Sequence, residues 1–280
     1  MKPLFSYLTI GCTALLCTQL SFAQGVKMPA PSPGQTIKQD FALSSVEVNY
    51  SRPAKKGRTI MGDLVPYGKV WRTGANGATT ITFGEDISFG GKPVKAGKYG
   101  LLTIPGASEW TIILTTSLDV TSPAAYKPEN DVVQVKVKSE KLPFAVENFM
   151  ISFENITSSS MVMDLIWDET IVPVTITADI DPKVVAQLNE AMKGEKKPYF
   201  QAASYYLETN RDLKQALSWI DAAIKENPKA FYMFYTKARI QAKTGDKAGA
   251  KATATEGIEL AKAAKNDDYV ALNTKFLATL

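Results

Sequence analysis

Arg52, Arg58, Tyr67, Trp71, Arg72 and Asn76 fall in one turn-rich stretch, SRPAKKGRTIMGDLVPYGKVWRTGAN, residues 51–76. These residue types suit binding. A guanidinium fork matches a carboxylate or a phosphate, and an indole offers a flat face to a sugar ring or a cation. Asn76-Gly77 reads as a turn that presents Trp71 and Arg72 together. The ligand such a set fits is small and polar or anionic, or a glycan. The same residues also read as scaffold, with Trp71 in the core, Arg72 paired to an internal carboxylate, and Gly74 and Gly77 serving backbone geometry. Composition does not choose between the two. Lys55, Lys56 and Lys69 add to the three arginines, against Asp63 alone in that stretch. Such a local positive field draws an anionic ligand or surface, or simply keeps the chain soluble.

Much catalytic chemistry is excluded. The chain has no His, and its two Cys are Cys12 and Cys17. No Ser-His-Asp or Cys-His arrangement can form, and zinc sites built on His are ruled out. Nucleophile-elbow, P-loop, dinucleotide-binding and EF-hand spacings are all missing from the sequence. Paired carboxylates, Tyr or Lys remain. Glu85-Asp86 are adjacent, so in a strand they point to opposite faces, and the pair reads as a hairpin turn. Asp179 and Asp181 are too few for a calcium cage, and Asp181 before Pro182 reads as a helix cap. No catalytic residue, no metal and no cofactor is expected.

The elements that must position the candidate residues follow from periodicity. Lys2, the largely apolar run Leu4–Leu20 and Ser21-Phe22-Ala23 have the layout of a secretory signal, with cleavage expected after Ala23. Thr9 and Leu16 fit poorly at the positions an acylated cysteine needs, so a lipid anchor is not expected. Both cysteines fall inside this signal, so the exported chain can form no disulfide. The expected compartment is periplasmic or extracellular. No second apolar run is long enough to span a membrane. Residues 24–36 read as a Pro/Gly/Ser linker.

From Phe41 the pattern changes to alternation with period two, within a domain read as residues 37–180. Val46–Tyr50, Thr80–Phe83, Tyr99–Ile104, Trp110–Thr115, Val133–Val137, Phe149–Phe153, Met161–Trp167 and Val172–Thr177 read as strands, and Gly90-Gly91 as a tight hairpin. Trp110 and Trp167 lie in apolar patterns and read as core. This spacing predicts an antiparallel β-sandwich-like domain.

At Asp181 the period switches to that of helices. They are expected at 181–193, 198–209, 213–226, 229–243, 247–265 and 268–279. Phe200, Ala216, Ile220, Ala223 and Pro228, followed by Phe234, Ala238, Ala250 and Ala254, resemble two tetratricopeptide repeats. Ala203-Ser204 departs from the usual Leu-Gly, and no Pro closes the second unit. The helices read either as a structural cap or as a groove for a protein partner. The apolar Phe231–Tyr235 run is expected to pack at the domain interface or within the repeat. The predicted class is therefore α+β, with a β-sandwich-like domain at 37–180 and an all-α domain of tetratricopeptide-like hairpins at 181–280.

Charge adds little to this. The net charge is +4, from 32 basic and 28 acidic residues. The excess is interspersed along the helices and is no footprint for nucleic acid.

YSRPAKKGRTIMGDLVPYGKVWRTGANGATTITF, GGKPVKAGKYGLLTIPG and EWTIILTT resemble the bacterial domain-of-unknown-function family 2911, over about residues 37–178. The most specific element is Val65-Pro66-Tyr67-Gly68-x-Val70-Trp71-Arg72-Thr73-Gly74-Ala75-Asn76. The resemblance implies an exported bacterial protein with a β-rich domain, often followed by helical repeats, and carries no activity. The expectation is a non-catalytic binding or scaffolding protein of the cell envelope. Two alternatives stay open. One is a carboxylate-dependent enzyme acting on envelope saccharides, with two carboxylates near Trp71. The other is a purely structural envelope protein.

Overall fold

The structure, a computed structural model, describes residues 28–280. The expected signal, 1–23, lies outside the described residues. The chain forms two compact units. One runs to Ile156 and includes Met161–Ile176, and the other comprises Thr157–Ser160 and Thr177–Leu280. The class is α+β, with antiparallel sheets followed, among the described residues, by six helices.

Among the described residues the first unit is built on ten strands: β1 Gly34–Phe41, β2 Ser44–Ser51, β3 Thr80–Phe83, β4 Ile87–Phe89, β5 Lys92–Val94, β6 Gly97–Ile104, β7 Glu109–Thr115, β8 Asp131–Lys138, β9 Glu140–Glu154 and β10 Ser160–Thr177. They build a six-stranded sheet, β1-β2-β3-β6-β7-β8, and a four-stranded sheet, β5-β4-β10-β9. Val46, Val48 and Tyr50 alternate inward along β2, as their spacing predicts. Rings from the two sheets meet in the middle. Tyr50 of β2 lies edge-on to Phe149 of β9 at 5.7 Å, and Phe83 of β3 meets Phe89 of β4 at 6.1 Å. Each fully buried ring or branched side chain contributes roughly 2–3 kcal/mol.

Three features depart from the sequence reading. β1 begins at Gly34, within the stretch that reads as linker. β9 starts at Glu140, well before Phe149. The runs 161–167 and 172–177 are one strand, β10, bent by register shifts around Asp168, whose φ is 55°. An extra residue in one strand of a pair kinks it without ending it.

The second unit holds α1 Asp181–Ala191, α2 Tyr199–Glu208, α3 Leu213–Glu226, α4 Phe231–Lys243, α5 Lys247–Ala263 and α6 Asp267–Leu277. α2 packs on α3 and α4 on α5, and α4 also touches α2 and α6. This arrangement is compatible with tetratricopeptide-like hairpins. Ala203, Ala216, Ala223 and Ala238 are buried between the helices, where a methyl group permits close approach. Asp212, Asp246 and Asn266 cap α3, α5 and α6 with side-chain oxygens that accept from backbone N–H groups. Asp181 does not cap α1. Ile180 already has helical dihedrals, so the helix starts one residue early, and Asp181 sits in its first turn. From there its carboxylate accepts from Tyr205 Oη at 2.7 Å and from Arg211.

Candidate functional site

The segment that follows β2 wraps along the four-stranded sheet. Lys55 N donates to Glu147 O at 2.7 Å and Phe149 N donates to Pro53 O at 2.9 Å, so residues 53–55 run beside β9 like an added strand. Lys55 then reaches the Asp168 carboxylate, and Lys56 N donates to the Glu147 carboxylate at 2.8 Å. Of the local cationic side chains, Lys55 thus meets an acid of β10, while Glu147 of β9 accepts from the Lys56 backbone.

Further on, Trp71 bridges to Thr103 through two backbone bonds of 2.7 and 3.0 Å. That places residue 71 beside β6, past the end of β3. The indole faces inward and touches three rings, Phe149 at 5.0 Å, Trp167 at 5.8 Å and Trp110 at 6.3 Å. Its Nε1 donates to Gly74 O at 3.1 Å, which closes the turn. Trp110 and Trp167 are each 2% exposed, core as the sequence predicts, while Trp71 is half-buried at the edge of the cluster. Thr73 is buried with φ 54°, and its carbonyl accepts from Thr79 Oγ1 at 2.8 Å.

The structure brings Arg52, Trp71 and Asn76 to one region. Arg52 Nε donates to Phe149 O at 3.0 Å, on the residue whose ring Trp71 contacts. Asn76 Nδ2 donates to Ser32 O at 2.9 Å, and Arg52 N donates to the neighbouring Pro33 O. Tyr50 lies in the same region. Burial raises its phenol, against the opposing pull of a hydrogen bond from Ile151 and the charge of Arg52. A cleft of about 290 Å³ opens beside Gly77, lined by Gln35, Thr36, Asn49, Tyr50 and Ser51.

The other three candidates bond elsewhere. Arg58 donates to the carbonyls of Ala54 and Lys55. Tyr67 lays its ring over Gly62 and stays 45% exposed. Arg72 donates from Nη1 to Thr121 O at 2.8 Å, and its Nε is buried with no partner. Among the described residues none of these three arginines, Arg52, Arg58 and Arg72, meets a carboxylate, so the internal pairing considered for Arg72 does not form.

A family model described as Protein of unknown function (DUF2911) matches residues 32–176. The chain belongs to this family. No curated protein and no solved structure matches it. The DUF2911 match ends at 176, where the first unit also ends, and encloses all six candidate residues.

The helical unit carries a second feature, flagged in the sequence only by its apolar Phe231–Tyr235 run. Rings form a continuous row on α2, α4 and α6: Phe200 to Tyr232 at 5.0 Å, Tyr232 to Phe231 at 5.8 Å and Phe231 to Tyr269 at 5.0 Å. Tyr269 to Tyr235 at 6.1 Å and Tyr235 to Phe276 at 6.0 Å complete it. Every ring is half-buried. Arg239 lies over Tyr235 at 5.6 Å and pairs with Glu208 at 2.8 Å. Beyond it a cleft of about 310 Å³ is lined by Arg239, Ala242, Lys243, Lys247 and Phe276.

Proposed function

We propose that the protein is an exported, non-catalytic binding or scaffolding protein of the bacterial cell envelope, whose helical unit holds a segment of a protein partner. One observation carries the reading: the row of half-buried rings on the alternate helices α2, α4 and α6. A core places aromatic rings out of water, whereas a recognition surface leaves their edges accessible, with charge at the rim. The basic cleft at the end of the row favours a segment that combines apolar side chains with acidic ones. The leader-like N-terminal sequence supports export to the periplasm or beyond.

A second site is favoured by the cleft beside Gly77. Its amide and hydroxyl lining, next to Asn76 and Arg52, suits a small polar or anionic ligand such as a glycan. Arg58, Tyr67, Trp71 and Arg72 do not line this cleft and carry no part of this second reading.

Binding of the purified protein to random-sequence peptide arrays, followed by calorimetry on the hits, tests the main reading. Saturable binding that Tyr235→Ser or Tyr269→Ser weakens at least tenfold supports it. Hits that bind both variants as tightly as the parent would remove the aromatic row as the site. Recovery of the protein in the envelope fraction with its first 23 residues still attached would count against export by signal cleavage.

A further inference from the structure

β1 is the outer strand of the six-stranded sheet. Its hairpin with β2 closes through the two residues Ala42-Leu43, with Phe41 opposite Ser44. In a two-residue hairpin the closing pair exchanges both backbone bonds, and bonded pairs then alternate along the strand. Phe41, Gln39, Ile37 and Gln35 therefore direct their N–H and C=O groups toward β2. Asp40, Lys38, Thr36 and Gly34 direct theirs outward. Among the described residues no backbone group bonds this outward row. The Gln39 side-chain amide donates to Asp40 O at 3.0 Å. A free edge of this length is a template for another strand.

The side chains select which strand. Thr36, Lys38 and Asp40 are exposed on the outer face. On the inner face Phe41 is buried, yet Ile37 and Gln39 are only half-buried, because the sheet stops beside them. Lys38 and Asp40 stand two residues apart on one face with opposite charges. Antiparallel self-pairing centred on Gln39 sets Lys38 opposite Asp40 of the second copy, and Asp40 opposite its Lys38. The same register matches the outward groups of Lys38 and Asp40 donor to acceptor, sets Ile37 opposite Phe41 of the second copy and ends where Thr36 meets the turn residue Ala42. Centring on Lys38 or on Asp40 opposes like charges, which is unfavourable across a strand pair. Charges on an edge normally block pairing. Here the same two charges disfavour the two flanking registers, whereas centring on Ile37 sets Lys38 and Asp40 opposite the uncharged Thr36 and Gly34 and leaves both unpaired.

We propose that β1 pairs with β1 of a second copy of this chain, antiparallel about Gln39, so that two six-stranded sheets join into one.

Sedimentation and light scattering on the purified protein test this. The protein should form a concentration-dependent dimer. Lys38→Asp and Asp40→Lys, both at exposed positions, should each be monomeric. An equimolar mixture of the two variants should form a one-to-one heterodimer, because the opposed charges again complement. Gln39→Cys offers a second measurement. In the proposed register the two introduced thiols face each other at a non-hydrogen-bonded pair, whose Cα spacing of about 4.5 Å a disulfide can span. Mild oxidation should link that variant into a covalent dimer and leave a Thr36→Cys variant unlinked. A wild-type chain that is monomeric at every concentration overturns the proposal. So does a dimer that both charge variants leave intact, or a mixture that stays monomeric.

Discussion

The indole of Trp71 stacks on that of Trp167 at 5.8 Å with 19° between the ring planes, while Phe149 closes on Trp71 edge-on at 5.0 Å. A residue from a turn thus completes an aromatic cluster otherwise built from strands of both sheets. The ring faces that would hold a sugar are turned toward other rings. Trp71→Ala should lower unfolding stability by about 2–3 kcal/mol, and Trp71→Phe by about 1 kcal/mol, as read by urea midpoints. A loss under about 0.5 kcal/mol for the alanine variant would move the indole from the scaffold to a ligand surface.

Gly74 is fixed by space. A Cβ there would stand 2.9 Å from Thr79 Oγ1 and 3.1 Å from the Ser51 carbonyl oxygen. The Thr79 side chain can turn, but the backbone carbonyl cannot. Gly74→Ala should therefore cost about 1–3 kcal/mol. Adding Thr79→Ala should not restore the parent stability, since the contact with Ser51 persists and the bond to Thr73 O is lost. Full recovery in the double variant would show that Thr79 alone enforces the glycine.

Much of this was legible in sequence because one face of each element is buried. Strict alternation marks β2, and the caps Asp212, Asp246 and Asn266 stand before apolar periodic runs. β1 was illegible for the opposite reason. GQTIKQDF lies on a sheet edge, wet on one face and half-wet on the other, so only Ile37 and Phe41 break its polarity. The first half of β9, EKLPFAV, is masked in the same way by charge and a proline. In the candidate segment the residue types were legible, but their partners were not. Arg52 meets Phe149, Trp71 meets Trp167 and Lys55 meets Asp168, each across a long stretch of chain. Chain closure over such distances is set by the sheet topology, which no local pattern records.

Lys55 and Asp168 couple the wrapped segment to the bend of β10, and both side chains are mostly buried. Asp168 also holds φ 55°, a left-handed conformation that Asn and Asp tolerate better than most residues. The two roles separate by substitution. Asp168→Asn should cost about 1 kcal/mol by removing the charge alone, and Asp168→Ala about 1 kcal/mol more, because alanine resists that φ. In a double-mutant cycle with Lys55→Met, coupling should lie near 1 kcal/mol. Coupling indistinguishable from zero would reduce the pair to two independent surface charges.

Asp164 gives the fold a pH dependence of unusual sign. It lies on β10 opposite Ser152 and is only 7% exposed. Burial, with the charges of Glu154 and Glu140 adding to it, pushes its carboxyl up from 3.8 to about 6. The folded chain therefore holds this proton more tightly than the unfolded chain does. Its contribution to stability is complete below the unfolded value near 3.8 and is lost as pH rises through about 6. At neutral pH the buried carboxylate costs on the order of 2 kcal/mol. Asp164→Asn keeps the shape and removes the ionisation. The variant should be more stable than the parent above pH 7, and the difference should shrink as pH falls through 6 toward 4. Urea melts of both proteins across that range decide it. A stability difference that stays constant with pH would assign the effect to packing around residue 164 and leave the carboxyl ordinary.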